Sequence, residues 1–220
     1  MLQPDDPERA LALVYAPQNR RTALAVLWRL DERLAQVLDN AHEPMIRAIR
    51  LAWWREALEA LDTRPAPDEP LLQDVVAHVF PYGITGADLS ELEAGWAALV
   101  DVPADLGGHA AARGPVLFAL AARLAGGADD AARLADAGEG WALIDRLARG
   151  DGGDGAPALR ARALCLLERA SERRWPRALR ALGVLTALAL RDARPDGLER
   201  RRPGSPARIW RALAMGALGR

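Results

Sequence analysis

The sequence predicts an all-α fold, a single-domain helical bundle, on three observations. Apolar residues recur at three- and four-residue spacing along nearly the whole chain, and strict alternation is scarcely found. Proline stands repeatedly at helix starts behind acidic or small polar residues, where its missing N–H costs nothing. Asp6-Pro7 opens a first helix to about Val14. Pro17-Gln18-Asn19 leads into a second, roughly Arg20 to Leu38, stopped by Asp39-Asn40. Glu43-Pro44 opens a third through Leu61, closed by the two prolines of Thr63 to Pro67. Glu69-Pro70 opens a fourth to Phe80, ended by Pro81-Tyr82-Gly83, and a fifth follows from about Asp88 to Val100.

Beyond the loop Asp101 to Gly108, helices are expected near 110–125, 129–149, 157–173, 176–191 and 206–218. Their breaks are Gly126-Gly127, Gly150 to Gly155, Trp175-Pro176 and the Arg/Pro/Gly segment 194–206. None is long enough to be a flexible interdomain linker and no internal repeat emerges, so residues 1–220 are read as one domain. The segment 110–125, with Ala110, Val116, Phe118 and Leu120, is small or apolar around its circumference and belongs in the middle of a large core.

Half of the 220 residues are apolar and 27% are charged, a balance that excludes wholesale disorder. With 29 basic against 30 acidic side chains the net charge is −1, which removes the basic footprint that nucleic-acid binding needs across a domain. Every one of the 29 is arginine, spread along the chain, which reads as genomic base-composition bias before any binding role. Cys165 is alone, so no intramolecular disulfide forms; in Ala-Leu-Cys-Leu-Leu it is expected to be a buried small hydrophobe in a reducing compartment. The N-terminus has neither the positive start nor the apolar core of a signal peptide, and the apolar run Ala181 to Leu190 is far shorter than the roughly 20 residues that span a bilayer. The expected location is cytoplasmic, with a peripheral contact to the inner membrane left open.

Common catalytic patterns are missing. His42, His78 and His109 are far apart and have no cysteine partners, which argues against zinc, and no Walker loop, Gly-x-Ser-x-Gly or dinucleotide fingerprint occurs. The informative stretch is Leu24 to Leu61. In its second half Ile46, Ile49, Trp53, Ala57 and Leu61 form one apolar stripe, and Leu51, Trp54 and Leu58 an adjoining one. Arg50 precedes the tryptophans by three and four residues, so its guanidinium can stack on an indole. Periodicity alone describes a well-packed helix with solvated charges.

Particular residues say more. Glu43-Pro44-Met45, then Ile49-Arg50-Leu51, Trp53-Trp54-Arg55 and Glu56-Ala57-Leu58, follow a helix carrying Tyr15-Ala16-Pro17, Arg20-Arg21, Leu27-Trp28, Leu30-Asp31-Glu32 and Val37-Leu38-Asp39. This pattern resembles the squalene/phytoene synthase family, and more narrowly its divergent branch that includes the mitochondrial complex I assembly factor related to phytoene synthase. Tyr82-Gly83-Ile84 and the run Gly138 to Leu143 extend the likeness along the chain.

The resemblance implies an all-α isoprenoid-synthase (terpenoid synthase) fold. Active members condense two prenyl diphosphates head to head, and two Asp-rich motifs on facing helices hold Mg²⁺ ions against the diphosphate leaving groups. In this chain the first motif's leading Asp falls on Ala35 and its trailing Asp on Asp39, with Asp31 and Glu32 as a shifted version. The second motif's positions fall near Arg149 and Gly153, leaving Asp145 on the helix and Asp151 and Asp154 in a glycine-rich loop. The resemblance with both motifs eroded therefore implies a catalytically degenerate protein that needs no cofactor and acts as a lipid- or prenyl-binding or assembly factor. The alternative is an active Mg²⁺-dependent head-to-head prenyltransferase. Residual catalytic candidates are Asp39, Asp31, Glu32 and Asp145, and no metal-ligand set is assigned. Substrate-binding candidates are Arg20 and Arg21, at a position the family places near its pocket mouth, with Arg50, Trp53 and Trp54. A prenyl or lipid ligand, or a protein partner, is expected; Arg200-Arg201-Arg202 reads as a solvated loop with the charge to meet anionic lipid.

Overall fold

The computed structural model describes residues 2–41, 43–202 and 204–219, and every regular element among them is helical. In chain order these are α1 (Pro7–Leu13), α2 (Arg21–Asp39), α3 (Pro44–Ala60), α4 (Pro70–His78), α5 (Gly86–Ser90), α6 (Leu92–Ala97), α7 (Leu106–Ala125), α8 (Ala131–Leu147), α9 (Ala156–Ser171), α10 (Arg180–Ala193) and α11 (Pro206–Leu218). His42, weighed above as a zinc ligand, lies outside the described residues.

Proline occupies the first turn of α1, α3, α4, α9 and α11, as its punctuation predicts. Caps fix the remaining boundaries. Asp6 accepts from the backbone N–H groups of Glu8 and Arg9, and Thr85 and Asp88 form a reciprocal capping box. Asp105 accepts from Gly108 N and starts α7 four residues earlier than the apolar pattern indicates. Gly126, at φ +69°, ends it in the left-handed region. The single helix expected over 88–100 is instead two, α5 and α6. Its Ser90 hydroxyl donates back to the Ala87 carbonyl at 2.9 Å, a local bond that competes with the helical ladder and bends the chain.

One buried apolar cluster, chiefly leucine and alanine, joins α1 through α11, and α7 and α8 run through its middle. Their axes approach closely because Gly114 and Gly138 face each other: a methyl on either would overlap the other's carbonyl group. Gly95 does the same for α6, where a Cβ would stand 2.7 Å from the Arg113 amide nitrogen. Three glycines thus draw α6, α7 and α8 together around one residue, Arg113.

Two packing expectations are corrected. The buried face of α9 is Ala163, Leu166, Leu167 and Ala170, and the helical period turns Cys165 outward, where it is exposed. On α3 the Leu51, Trp54 and Leu58 stripe packs, and of the adjoining stripe only its end, Ala57 and Leu61, does so; Ile46, Ile49 and Trp53, with Met45, face solvent, Trp53 at 48% exposure against 5% for Trp54.

Candidate functional site

The centre of the bundle is polar. Asp31 of α2 is fully buried and accepts four hydrogen bonds. Its Oδ1 takes Arg113 Nε at 2.8 Å and Trp96 Nε1 at 3.0 Å; its Oδ2 takes Arg113 Nη2 and Arg9 Nη2, both at 2.7 Å. Arg113 of α7, equally buried, turns Nη1 to Asp145 Oδ2 of α8 at 2.9 Å. Its guanidinium carbon lies 4.3 Å from the Trp96 ring centroid and 4.8 Å from that of Trp141. His109, one turn earlier, places Nδ1 2.7 Å from the Gly95 carbonyl and Nε2 3.3 Å from Arg113 Nη1. Arg9 closes the side facing α1, with Nη1 on the Trp28 carbonyl at 3.0 Å.

The electrostatics follow from this pairing. Burial would raise Asp31, but Arg113 and Arg9 outweigh it and hold the carboxyl well below the usual carboxylate range. Asp145 is held at about 2 in the same way, burial being overcome by Arg113, Arg149 and Arg9. Burial first, then the Arg113 charge, pushes His109 down to about 3. A neutral ring donating from Nδ1 to Gly95 and accepting at Nε2 from Arg113 satisfies both nitrogens. Two carboxylates and two guanidinium groups therefore neutralise one another where stray charge would be costly.

The family model described as squalene/phytoene synthase matches residues 2–213. The chain belongs to the squalene/phytoene synthase family. No curated protein and no solved structure matches it. Its helices are those of the terpenoid-synthase-type fold of that family.

The acidic candidates of this squalene/phytoene synthase family member fall on α2 and α8, with unequal roles. On α2, Asp31, Ala35 and Asp39 follow at four-residue intervals along one stripe, from the buried centre outward. Ala35 and Asp39 line a cavity of about 190 Å³ together with Arg9, Glu32, Gln36 and Arg149. Glu32 accepts from the backbone N–H groups of Asp5 and Asp6 at 2.9 and 3.1 Å, so it anchors the segment leading into α1. On α8, Trp141 and Asp145 form the matching stripe, with Arg149 in the turn just past the helix end, and Asp151 pairs with Arg146 at 2.6 Å. Among the described residues no group of three or more His, Cys, Asp and Glu side chains is placed to hold a metal ion.

The substrate-binding candidates are not brought to this centre. Arg20 stacks on Tyr82 at 4.1 Å, and Arg21 donates to the Ala16 and Val14 carbonyls at 3.1 and 2.6 Å, closing the end of α1. Arg50 reaches the Asn40 carbonyl at 3.5 Å instead of stacking on an indole, and the guanidinium over Trp54 belongs to Arg33, at 5.8 Å. Trp53 and Trp54 meet edge to face at 5.2 Å. Pattern reading missed Arg9, Trp96, His109, Arg113 and Trp141. The available signal was Arg113 itself: a charge inside a helix that must be buried requires a buried partner.

Proposed function

We propose that this family member is catalytically silent and works by binding, in the manner of the divergent branch that includes the mitochondrial complex I assembly factor. One observation carries the reading: the Arg113 guanidinium bonds Asp31 of α2 and Asp145 of α8 at once. Active relatives hold Mg²⁺ between acidic motifs on facing helices; here the motif positions keep Asp39 alone, and a cation fixed to α7 joins the neighbouring acids Asp31 and Asp145. A carboxylate offers about four lone-pair positions, and all four on Asp31 are taken. One turn along stands Ala35, whose methyl ligates nothing. The donor set does not fit a divalent cation bound to diphosphate.

The interior volumes support the same reading. The recess where Trp141, Ile144, Leu185 and Ala189 meet the charged Arg9, Asp145 and Asp192 holds about 20 Å³, room for a single water and none for a prenyl tail. Asp39, at the rim of the 190 Å³ cavity, is the feature that favours the rival prenyltransferase reading.

Incubation of the purified protein with farnesyl diphosphate and Mg²⁺, followed by pyrophosphate release, tests both. Release at the rate of the protein-free blank is the expected result; release abolished by Asp39→Asn overturns the proposal in favour of the prenyltransferase. The assembly role has its own test: a deletion strain should contain less assembled complex I on native gels, and normal assembly rejects that role.

A further inference from the structure

We infer that α11 and the arginine-lined recesses along its two edges form a docking face for an anionic phospholipid bilayer, independent of whether the centre is catalytic. Every exposed side chain of α11 is apolar, led by Ile209, Trp210, Leu213 and Leu218, with Trp210 at 71% exposure. The helix is not loose. Its inner face is tied down by Arg208, which pairs with Asp192 of α10 and, at 2.5 Å, with Glu8 of α1. Gly216 lets the Tyr15 ring lie against the backbone. The apolar arc is therefore held outward by a buried ion pair, which is an unfavourable way to treat a tryptophan in water.

Charge decides the occupant. At 100° per residue, Arg211 and Gly216 mark the two edges of the exposed arc. Beside Arg211 a cleft of about 130 Å³ is lined by Arg191, Arg194 and Arg211 and by no carboxylate. Among the described residues none of these three has an ion-pair partner. Beside Gly216 a groove of about 640 Å³ carries Arg21, Arg177 and Arg180, again without a carboxylate. Arg180 Nε is buried there and unbonded. The asymmetry extends through the chain: residues 155–220 hold 15 arginines against five acidic side chains, whereas residues 1–154 hold 14 against 25.

A ridge of Trp, Ile and Leu between two rows of guanidinium groups has the chemistry of a helix lying in a headgroup plane. Its apolar side enters the acyl boundary while arginines meet phosphate oxygens. Among the described residues no helix is long and apolar enough to cross a membrane, so the contact is a surface one.

Cosedimentation of the full chain with vesicles tests it, comparing equal parts phosphatidylglycerol and phosphatidylcholine with phosphatidylcholine alone. The wild-type protein should pellet with the anionic vesicles, weakly or not at all with the neutral ones, and less as salt rises. Trp210→Ser with Leu213→Ser, and separately Arg191→Gln with Arg194→Gln and Arg211→Gln, should each weaken partitioning by about tenfold or more while leaving the thermal melt in place. The proposal is overturned by a wild-type protein that stays in the supernatant, by equal binding to neutral vesicles, or by arginine variants that bind as wild type. It is also overturned by a wild-type dimer in light scattering that Trp210→Ser converts to monomer, since the face would then be covered by a second copy.

Discussion

Arg113 and Asp31 meet in a two-pronged guanidinium–carboxylate pair, Nε to Oδ1 at 2.8 Å and Nη2 to Oδ2 at 2.7 Å, with solvent reaching neither side chain. A buried pair of this kind contributes little net stability over an apolar pair of the same volume. Losing one member is another matter, because the survivor stays desolvated and unpaired.

Arg113→Ala and Asp31→Asn should therefore each cost about 3–5 kcal/mol. Urea unfolding should show a lower midpoint with an unchanged slope. The comparison is Arg123→Ala, which breaks the partly exposed pair with Asp88 at 3.0 Å and should cost no more than about 1 kcal/mol. Equal losses at the two positions would mean that the central network is solvated.

The histidine on the same helix makes stability depend on pH. His109 ordinarily titrates near 6.5 and is held at about 3 in the fold. Between those values the unfolded chain binds a proton that the native chain refuses, so stability falls as pH drops below 6.5, by up to about 1.4 kcal/mol per unit. Asp145 acts in the same direction lower down: its folded value of about 2 lies below the ordinary 3.8, so its contribution is full above 3.8 and disappears as pH falls through about 2. His109→Gln should flatten the decline between pH 6.5 and 4 in chemical denaturation, leaving the Asp145 limb.

What was legible in the sequence was local. Proline at helix starts and three- and four-residue spacing found α1 to α4 and α11 within a few residues, because caps and periodicity act over one or two turns. The Ser90 back-bond that splits the fifth helix leaves no trace in hydrophobic spacing. The site was half legible: family resemblance brought Asp31 and Asp145 forward as acids that could face a common centre. Arg113, which occupies that centre, is in the sequence one arginine among 29. Its importance lies in contacts with residues 82 and 32 positions away, and pattern along one helix does not report such contacts. The exposed halves of α3 and α11 were illegible for a related reason, since an apolar stripe looks the same whether or not another element covers it.

The paired tryptophans separate these two situations. Trp54 is buried with Leu51 and Leu58, and Trp54→Ala should cost about 3–5 kcal/mol through the cavity it leaves. Trp53, half exposed, keeps mainly an edge contact with its neighbour, and Trp53→Ala should cost no more than about 1 kcal/mol. Thermal melts of the two variants measure the difference. A large loss at Trp53 would show that the outer stripe of α3 is covered.

Mg²⁺ binding is the last property the network makes testable. Ala35 lines the 190 Å³ cavity one turn from Asp31 on the same stripe, so Ala35→Asp rebuilds an acidic pair at four-residue spacing. Neither neighbour on the stripe is free of cations, however: Asp31 already serves Arg9, Trp96 and both prongs of Arg113, and Asp39, one turn the other way, shares its cavity with Arg9, Arg113 and Arg149. Ala35→Asp alone should leave the melting temperature insensitive to Mg²⁺ at millimolar concentration. Combining it with Arg113→Leu frees two acceptor positions on Asp31 and the Asp145 oxygen that Arg113 held. It also removes the positive charge that opposes a divalent ion. The double variant starts from a less stable fold, and Mg²⁺ should raise its melting temperature where Ca²⁺-free, Mg²⁺-free buffer does not. A Mg²⁺-dependent shift in Ala35→Asp by itself would mean that Arg113 yields its partners readily, and the guanidinium would then be a weak occupant of the centre.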